Sequence, residues 1–114
     1  MSDCIFCSII EGQIPGEIVY SDELVTAFRD INPLAPVHLL IVPNRHLASI
    51  NDLGPDEEAV AGRMLTVARK LAEQEGIADS GYRLITNTGP HGGQDVHHLH
   101  MHLIGGQRMR HPLG

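Results

Sequence analysis

The chain contains no tryptophan, and aromatic residues make up only 4% of its 114 residues. A stacking surface for single-stranded nucleic acid is therefore not expected, because such surfaces are built from aromatic side chains. The core must consist of aliphatic residues, and a hydrophobic content of 42% is enough for one core in a chain of this length. We therefore expect a single domain that spans residues 1–114.

Basic residues are also scarce. Eight lysines and arginines stand against fourteen aspartates and glutamates, which gives a formal net charge of −6, and no stretch of the sequence concentrates the basic residues. Neither nucleic acid nor an anionic membrane is expected as the main partner. A phosphate-bearing substrate would have to be held by local backbone N–H groups and histidines, because the overall field repels anions.

Long apolar runs and cysteines are few. No apolar run approaches the roughly 18 residues of a membrane-spanning helix, and the first residues show no basic segment followed by an apolar stretch. We therefore expect a cytoplasmic protein. Its two cysteines, Cys4 and Cys7, are too few and too close together for the disulfide framework of a secreted protein.

Histidine, by contrast, is concentrated in one stretch, because four of the eight histidines lie in residues 97–102. Apolar residues alternate with them and glycine pairs flank the stretch, a pattern typical of a short strand. On a strand, His98, His100 and His102 share one face at a spacing of about 6.6 Å, so one phosphate-sized group can span the row. A helix would instead pair His98 with His102, as in some zinc proteins, but the glycines disfavour it. An unpatterned metal-binding tract is the other alternative, and the alternating apolar residues argue against it.

The remaining pattern predicts the architecture. Residues 37–42 form a near-continuous apolar run before Pro43, which indicates a central strand buried on both faces. Helical spacing predicts a short helix from Ile5 to Gly12 and a long helix from Pro55 to Glu75. The apolar stripe of the long helix contains Val60, Ala61, Met64, Leu65, Val67, Ala68 and Leu71. Strands are predicted at residues 17–20, 24–29 and 82–87. The sequence therefore predicts an α+β fold, with an antiparallel sheet covered by helices on one side.

Two further features allow more than one interpretation. Asp30 stands at the entrance of a loop fixed by Pro33 and Pro36, where it is either a turn residue bonded to its own backbone or a binding residue. His38 lies inside the predicted central strand, where it is either a core histidine with a backbone partner or a member of a site. The glycine-rich residues 88–93 lead into the histidine stretch and would let backbone N–H groups approach a phosphate.

The sequence from His98 to Ile104 reads His-Leu-His-Met-His-Leu-Ile, and it resembles the signature of the histidine triad (HIT) family. The flanking Gly-Gly-Gln before it and Gly-Gly-Gln-Arg-Met after it are similar to the nucleotide-binding, HINT-like branch. The resemblance covers nearly the whole chain. It includes Ile5-Phe6, Ile14-Pro15, Asp30-Ile31, Ala35-Pro36-x-His38 and Val42-Pro43-x-x-His46.

This resemblance implies a HIT-like fold with a sheet of about five strands, which forms a two-fold homodimer through the long helix and a sheet edge. It implies a hydrolase that cleaves purine nucleoside phosphoramidates or related nucleotidyl conjugates through a nucleotidyl-histidine. His100 would be the nucleophile and His102 would contact the scissile phosphate, with His98 and His38 completing the catalytic set. The implied nucleotide-binding residues are Ile5, Phe6, Ile14, Asp30, Ile31, Leu40, Asn87, Gly93, Gln94 and Asp95.

Cys4 and Cys7 form a Cys-x-x-Cys pair, which can supply two of the four ligands of a structural zinc ion. A related branch of the superfamily implies His46 and His98 as the other two. The alternative is a reduced pair of cysteines on a helix without metal.

Two other functions remain open: a dinucleoside polyphosphate hydrolase, and a nucleotide-binding regulatory module with incidental turnover. The chain also departs from familiar animal members at three places. Asp95 stands where serine is common, His97 where an aromatic residue is common, and Arg110-His111-Pro112 replaces an ending that contains tryptophan. These departures leave the preference for the leaving group open.

Overall fold

A computed structural model describes residues 3–112, and it contains one five-stranded antiparallel sheet with two α-helices. The strands are β1 (Ile18–Ser21), β2 (Val25–Arg29), β3 (Val37–Pro43), β4 (Tyr82–Ile85) and β5 (Met101–Gly105), and the helices are α1 (Ile5–Ile10) and α2 (Glu58–Gln74). The order across the sheet is β1-β2-β3-β5-β4. The predicted α+β class is confirmed, while residues 1–2 and 113–114 of the predicted domain lie outside the described part. Neither described helix is long and apolar enough to cross a membrane.

Strand β3 is the centre of the fold. All seven of its residues are buried, and β2 and β5 pair with it on either side, as the apolar run predicts. Because side chains alternate along a strand, Leu39 and Ile41 face the core cluster beneath α2, whereas Leu40 and Val42 join a second cluster on the opposite face. The protein therefore has an apolar cluster on each side of one sheet.

The long helix α2 follows a 3₁₀ turn at Pro55–Glu57. Its buried side is made of Val60, Met64, Val67, Ala68, Leu71 and Ala72. Leu65, which the predicted stripe includes, is instead 53% exposed, because a helix turns by about 100° per residue and the neighbouring Met64 takes the core position. The helix ends at Gln74 with Glu75 as its C-cap, and the next residue, Gly76, has the positive φ of 75° that commonly terminates a helix.

The short helix α1 lies on the other face of the sheet. Phe6 and Ile9 pack with Phe28, Leu40 and Val42, and none of these residues belongs to the cluster beneath α2. The prediction that the helices cover one side is therefore wrong. A central strand that is apolar on both faces needs cover on both, and α1 supplies it on the second face.

The histidine strand is shorter than predicted. Strand β5 begins at Met101, so His102 lies in the sheet, but His98 and His100 lie in the irregular segment ahead of it. The β3–β5 pairing stops at Ile41 and Met101. Two residues further along β3, the Pro43 carbonyl accepts a hydrogen bond from the His98 ring at 2.9 Å. Beyond the end of the ladder, the hydrogen bond to Pro43 thus comes from the His98 side chain instead of a backbone N–H group. The histidines therefore form a cluster, whereas we predicted a single row on one strand.

Candidate active site

Four imidazoles and one phenyl ring meet at the start of β5. The His102 ring centroid lies 5.1 Å from that of His38 and 5.1 Å from that of His100. Phe6 of α1 contacts His100 and His98 edge-on, at 5.1 Å and 5.9 Å. The structure therefore brings together all four histidines that we predicted as catalytic.

His38 and His102 form a directly bonded pair. The Leu34 N–H donates to His38 Nδ1 at 3.1 Å, so in the neutral ring the proton of His38 is on Nε2. That Nε2 lies 2.9 Å from His102 Nδ1, which must then accept. The proton of His102 is therefore on its own Nε2, where it is a donor that can meet a phosphate oxygen. Asp30 Oδ2 lies 3.4 Å from His38 Nε2, close enough to favour this orientation electrostatically.

His100 has the opposite tautomer. Its Nδ1 lies 2.7 Å from the backbone carbonyl of His98, and a carbonyl accepts only, so Nδ1 carries the proton. The neutral ring then has its lone pair on Nε2. The side chain is only 3% exposed, and the nearest carboxylate oxygen, Asp95 Oδ1, lies 3.6 Å from Nε2. A lone pair held in one direction is what a nucleophile or general base requires.

Burial keeps the bonded pair uncharged. Desolvation lowers the pKa of His38, and the nearby Asp30 opposes that effect in part. Desolvation also lowers the pKa of His102, assisted by His100 and His38 and opposed by Asp30 and Asp95. Both rings are therefore neutral near pH 7, since the ordinary pKa of histidine is already about 6.5.

Asp30 forms the hydrogen bond within its own turn that its interpretation as a turn residue predicted. Its Oδ1 accepts from the Asn32 N–H at 2.8 Å, and its backbone N–H donates to the His38 carbonyl at 3.0 Å. The second oxygen faces His38. The turn holds the carboxylate at the mouth of the site, so the structural contact and a binding role are compatible.

The predicted base-pocket residues fall into two groups. Phe6 and Leu40 are buried at 7% and 5% exposure and belong to the apolar cluster beneath α1. Ile5, Ile14 and Ile31 are exposed at 48%, 37% and 83%. The first two side chains therefore support the histidines from within, and the last three are available to a ligand.

Gln94 organises the glycine-rich loop. Its Oε1 accepts from the Gly89 N–H, and its Nε2 donates to the carbonyls of Ala48 and Val96. Gly93, at a φ of 78°, donates its N–H to Pro90 within the loop. Asn87 lies half-buried at the start of this loop. Gln94 was predicted to bind nucleotide, and its contacts here are those of a loop-positioning residue.

Sequence reasoning missed one contact of the site. Thr86, at the end of the strand before the loop, donates its hydroxyl to the His100 carbonyl at 2.9 Å. This bond holds the backbone of His100 at its carbonyl. A lone threonine fourteen residues earlier in the chain gives no sequence signal for such a contact.

The predicted zinc ligands also come together. The donor atoms of Cys4, Cys7, His46 and His98 all lie within 4.8 Å of one another. His98 Nδ1 lies 3.3 Å from Cys4 Sγ and 3.5 Å from Cys7 Sγ, and His46 Nδ1 lies 3.4 Å from Cys7 Sγ. A tetrahedral zinc ion with Zn–S of about 2.3 Å and Zn–N of about 2.0 Å separates its sulfur and nitrogen ligands by about 3.5 Å.

The tautomer of His98 suits this cluster. Its Nε2 donates to the Pro43 carbonyl, so the lone pair lies on Nδ1, the atom that faces the two sulfurs. The donor set and its spacing therefore fit a closed, structural zinc site.

The cluster contains three imidazoles in contact, His38, His102 and His100, with His98 bonded to His100 through its carbonyl. This arrangement is suited to nucleophilic and acid–base chemistry on a phosphate-sized group. Comparison with known proteins assigns its family. The model of the HIT domain family matches residues 11–109, and the chain belongs to that family.

Individual relatives are similar over nearly the full length. The purine nucleoside phosphoramidase of Escherichia coli (strain K12) is 58% identical over 112 residues, which cover 98% of this chain and 91% of that protein. The crystal structure of a HIT family hydrolase from Legionella pneumophila Philadelphia 1 gives a TM-score of 0.94 at 47% identity, over 98% of this chain and 100% of that one. A histidine triad protein from Clostridium difficile gives a TM-score of 0.93 at 41% identity, over 97% and 96% of the two chains.

The lowered pKa values of His38 and His102 predict a pH-dependent stability. Below about pH 6.5 these histidines bind protons in the unfolded chain but stay neutral in the folded protein, because their pKa values are lowered there. Their contribution to the free energy of unfolding is therefore fully present above about pH 6.5 and decreases as the pH falls below that value. The free energy of unfolding, measured in urea at pH 7.5 and pH 5.5, should be smaller at pH 5.5. The double variant His38→Gln/His102→Gln should show a weaker dependence, and an unchanged dependence would contradict the assignment.

Proposed function

We propose that the protein is a nucleotide-binding hydrolase that cleaves purine nucleoside phosphoramidates. The observation that carries this proposal is the tautomer of His100, whose Nδ1–H bond to the His98 carbonyl leaves the lone pair of the ring on Nε2. The name of the E. coli relative, purine nucleoside phosphoramidase, supports the same substrate class.

The reaction proceeds in two displacements. His100 Nε2 attacks the phosphorus and the P–N bond breaks. The leaving nitrogen takes a proton from solvent and departs as the amine. Water then attacks the nucleotidyl-histidine, releases the nucleoside monophosphate and restores the imidazole. The His102 Nε2–H, directed by His38, donates to a phosphate oxygen as charge builds up there.

The nucleotide lies against the open side of the cluster. The Asp30 carboxylate, held by its turn, accepts hydrogen bonds from the ribose hydroxyls. The exposed side chains of Ile5, Ile14 and Ile31 cover the base, since an apolar pocket with a few placed polar groups is the usual form of such a site. A regulatory nucleotide-binding module would use the same pocket without efficient turnover.

We infer that a zinc ion is held by Cys4, Cys7, His46 and His98. With four protein ligands it would be a structural ion, and the chemistry that it supplies is the cross-linking of α1 to the segments that carry His46 and His98. His98 thereby contributes its ring to the cluster of ligands and its carbonyl to His100.

We also infer a two-fold homodimer. Leu65 of α2 is 53% exposed and Ile50 is 42% exposed. They border an apolar groove whose lining is Ile50, Leu53, Ala61, Met64, Leu65, Thr86, Leu99 and Met101. A second copy related by two-fold symmetry would cover this groove.

The nucleophile assignment predicts a ranking of variants. On adenosine 5′-phosphoramidate, His100→Ala should lose more than about 10⁴-fold in kcat because the two-step route is removed. His102→Ala should lose about 10² to 10⁴-fold and retain measurable turnover, as expected for a charge stabiliser. Mass spectrometry of quenched wild-type enzyme should find the nucleotidyl label on His100. Wild-type turnover by His100→Ala would refute the assignment, and a wild-type enzyme that binds without turnover would indicate the regulatory module.

The zinc inference predicts about one zinc ion per chain in protein purified without chelator. His46→Ala should lose most of this metal and unfold at a lower temperature. His111→Ala, which removes an exposed histidine elsewhere, should keep the metal. Zinc far below stoichiometry in the wild type, or equal zinc in His46→Ala, would refute the site.

The dimer inference predicts about twice the 12.4 kDa mass of one chain in light scattering at micromolar concentration. Leu65→Glu should shift the mass toward that of a monomer, because it places a charge in the groove. Thr66→Glu adds the same charge at the next helix position, away from the groove lining, and should leave the mass unchanged. A mass of one chain for the wild-type protein would contradict the inference of a dimer.

A further inference from the structure

The arginines of this acidic chain fall into two groups, those that form ion pairs with carboxylates and those that do not. Of the seven arginines in the sequence, four form ion pairs with carboxylates: Arg29 with Glu17 and Glu75, Arg45 with Glu57, Arg63 with Asp22, and Arg69 with Glu73. Within residues 3–112, the other three have no carboxylate partner. These three, Arg83, Arg108 and Arg110, all line one cavity.

The cavity also contains no acidic residue among its described lining. Its other walls are Leu34, Ala35, Ile85, Ile104, Gln107, Met109 and His111. We call it the arginine cavity. Its volume of about 390 Å³ has room for a group of several heavy atoms rather than a single ion.

The arginine cavity borders the histidine cluster. Ile85 lies directly opposite His102 in the β4–β5 ladder, and Arg83 lies opposite Ile104. Directly opposed residues share a face of the sheet, as do residues two apart on one strand. Arg83 and Ile104 are therefore on the same face as His102, one step further along the two strands.

The side chains of Arg83, Arg108 and Arg110 bring three guanidinium groups to one cavity. Arg83 is held in place by donating one Nη2–H to the His111 carbonyl at 2.8 Å, and its other N–H groups are left for a ligand. Arg108 and Arg110 are exposed, on a segment that forms one side of the cavity. Arginine presents a planar fork that matches carboxylate and phosphate. In a chain of net charge −6, three uncompensated cations around one cavity create a local positive field.

We propose that the arginine cavity binds an anionic group, a carboxylate or a phosphate, carried by the leaving group of the substrate. This inference rests on the proposed function and adds a preference to it. With the phosphorus of a nucleotide at His100 and His102, a leaving group that extends along the same sheet face reaches the arginine cavity, which is the part of that face lined by uncompensated cations. Neutral amines gain nothing from it.

The test compares two adenosine 5′-phosphoramidates that differ by one charge: one with the amine of glycine, one with that of glycinamide. Wild-type enzyme should cleave the glycine compound with a kcat/KM about tenfold higher, the size of a charge-assisted hydrogen bond. Arg108→Gln and Arg110→Gln should bring the ratio of the two rates toward one without lowering the glycinamide rate. Arg110→Lys should keep part of the preference, and Arg69→Gln, which removes the same charge from α2, should keep all of it.

The outcomes separate the two proposals. Turnover of both compounds at equal rates, or a preference that Arg108→Gln and Arg110→Gln leave intact, would overturn the anion site while the proposed function stands. Turnover of neither compound would mean that the proposed function itself has failed.

Inhibition by inorganic phosphate provides a second experiment. If it inhibits cleavage of the glycine compound more than that of glycinamide, and Arg110→Gln removes the difference, the cavity is confirmed as the place of competition. If phosphate acts through Arg110 while wild type shows no preference for glycine, the cavity takes free anions and the leaving-group proposal is wrong.

Discussion

The hydrogen bond from His100 Nδ1 to the His98 carbonyl is the interaction on which the site depends. It sets which nitrogen of His100 is unprotonated, because the backbone carbonyl oxygen can only accept a hydrogen bond and Nδ1 must therefore carry the proton. The carbonyl in turn is positioned by the His98 ring, which donates to Pro43 on one side and faces the sulfurs of Cys4 and Cys7 on the other. The orientation of one ring and the tautomer of the next are therefore decided by a single residue.

The sheet supplies the second requirement, which is a rigid support for His38 and His102. His38 is on the fully buried strand β3, and His102 is on the neighbouring strand β5. Each strand contributes a different nitrogen to their 2.9 Å contact. Because the site face would otherwise leave an apolar sheet surface exposed to water, α1 closes over it and brings Phe6 against the rings of His98 and His100. Burial within the fold also desolvates His38 and His102 and lowers their pKa values.

Much of this arrangement was predictable from local pattern. The apolar run before Pro43 predicted the central strand, and the spacing of Val60, Met64 and Leu71 predicted the buried side of α2, because both signals come from residues close in sequence. The bend at His98 was not predictable, since it depends on a bond to Pro43, which is 55 residues away. The placement of α1 on the second face and the presence of Arg83 and Arg110 in one cavity likewise depend on the order of strands across the sheet, which no local period encodes. The ligand set around Cys4 and the roles of the histidines came from family resemblance rather than from spacing.

The position of His38 has a consequence for how this protein can move. Interior strands exchange their amide protons mainly through global unfolding, whereas loops open locally at little cost. The His38–His102 pair joins β3 and β5, which are neighbouring interior strands of the sheet, so the backbones that carry the pair separate only when the sheet opens. Adaptation to different ligands is then left to the segments around this rigid centre: the turn at Asp30, the loop held by Gln94, and the segment that bears Arg108 and Arg110. In evolutionary terms, the paired histidines lie on strands whereas residues proposed to contact the ligand, such as Asp30 and Arg110, lie in loops, so substitutions in the loops can change specificity without altering the sheet.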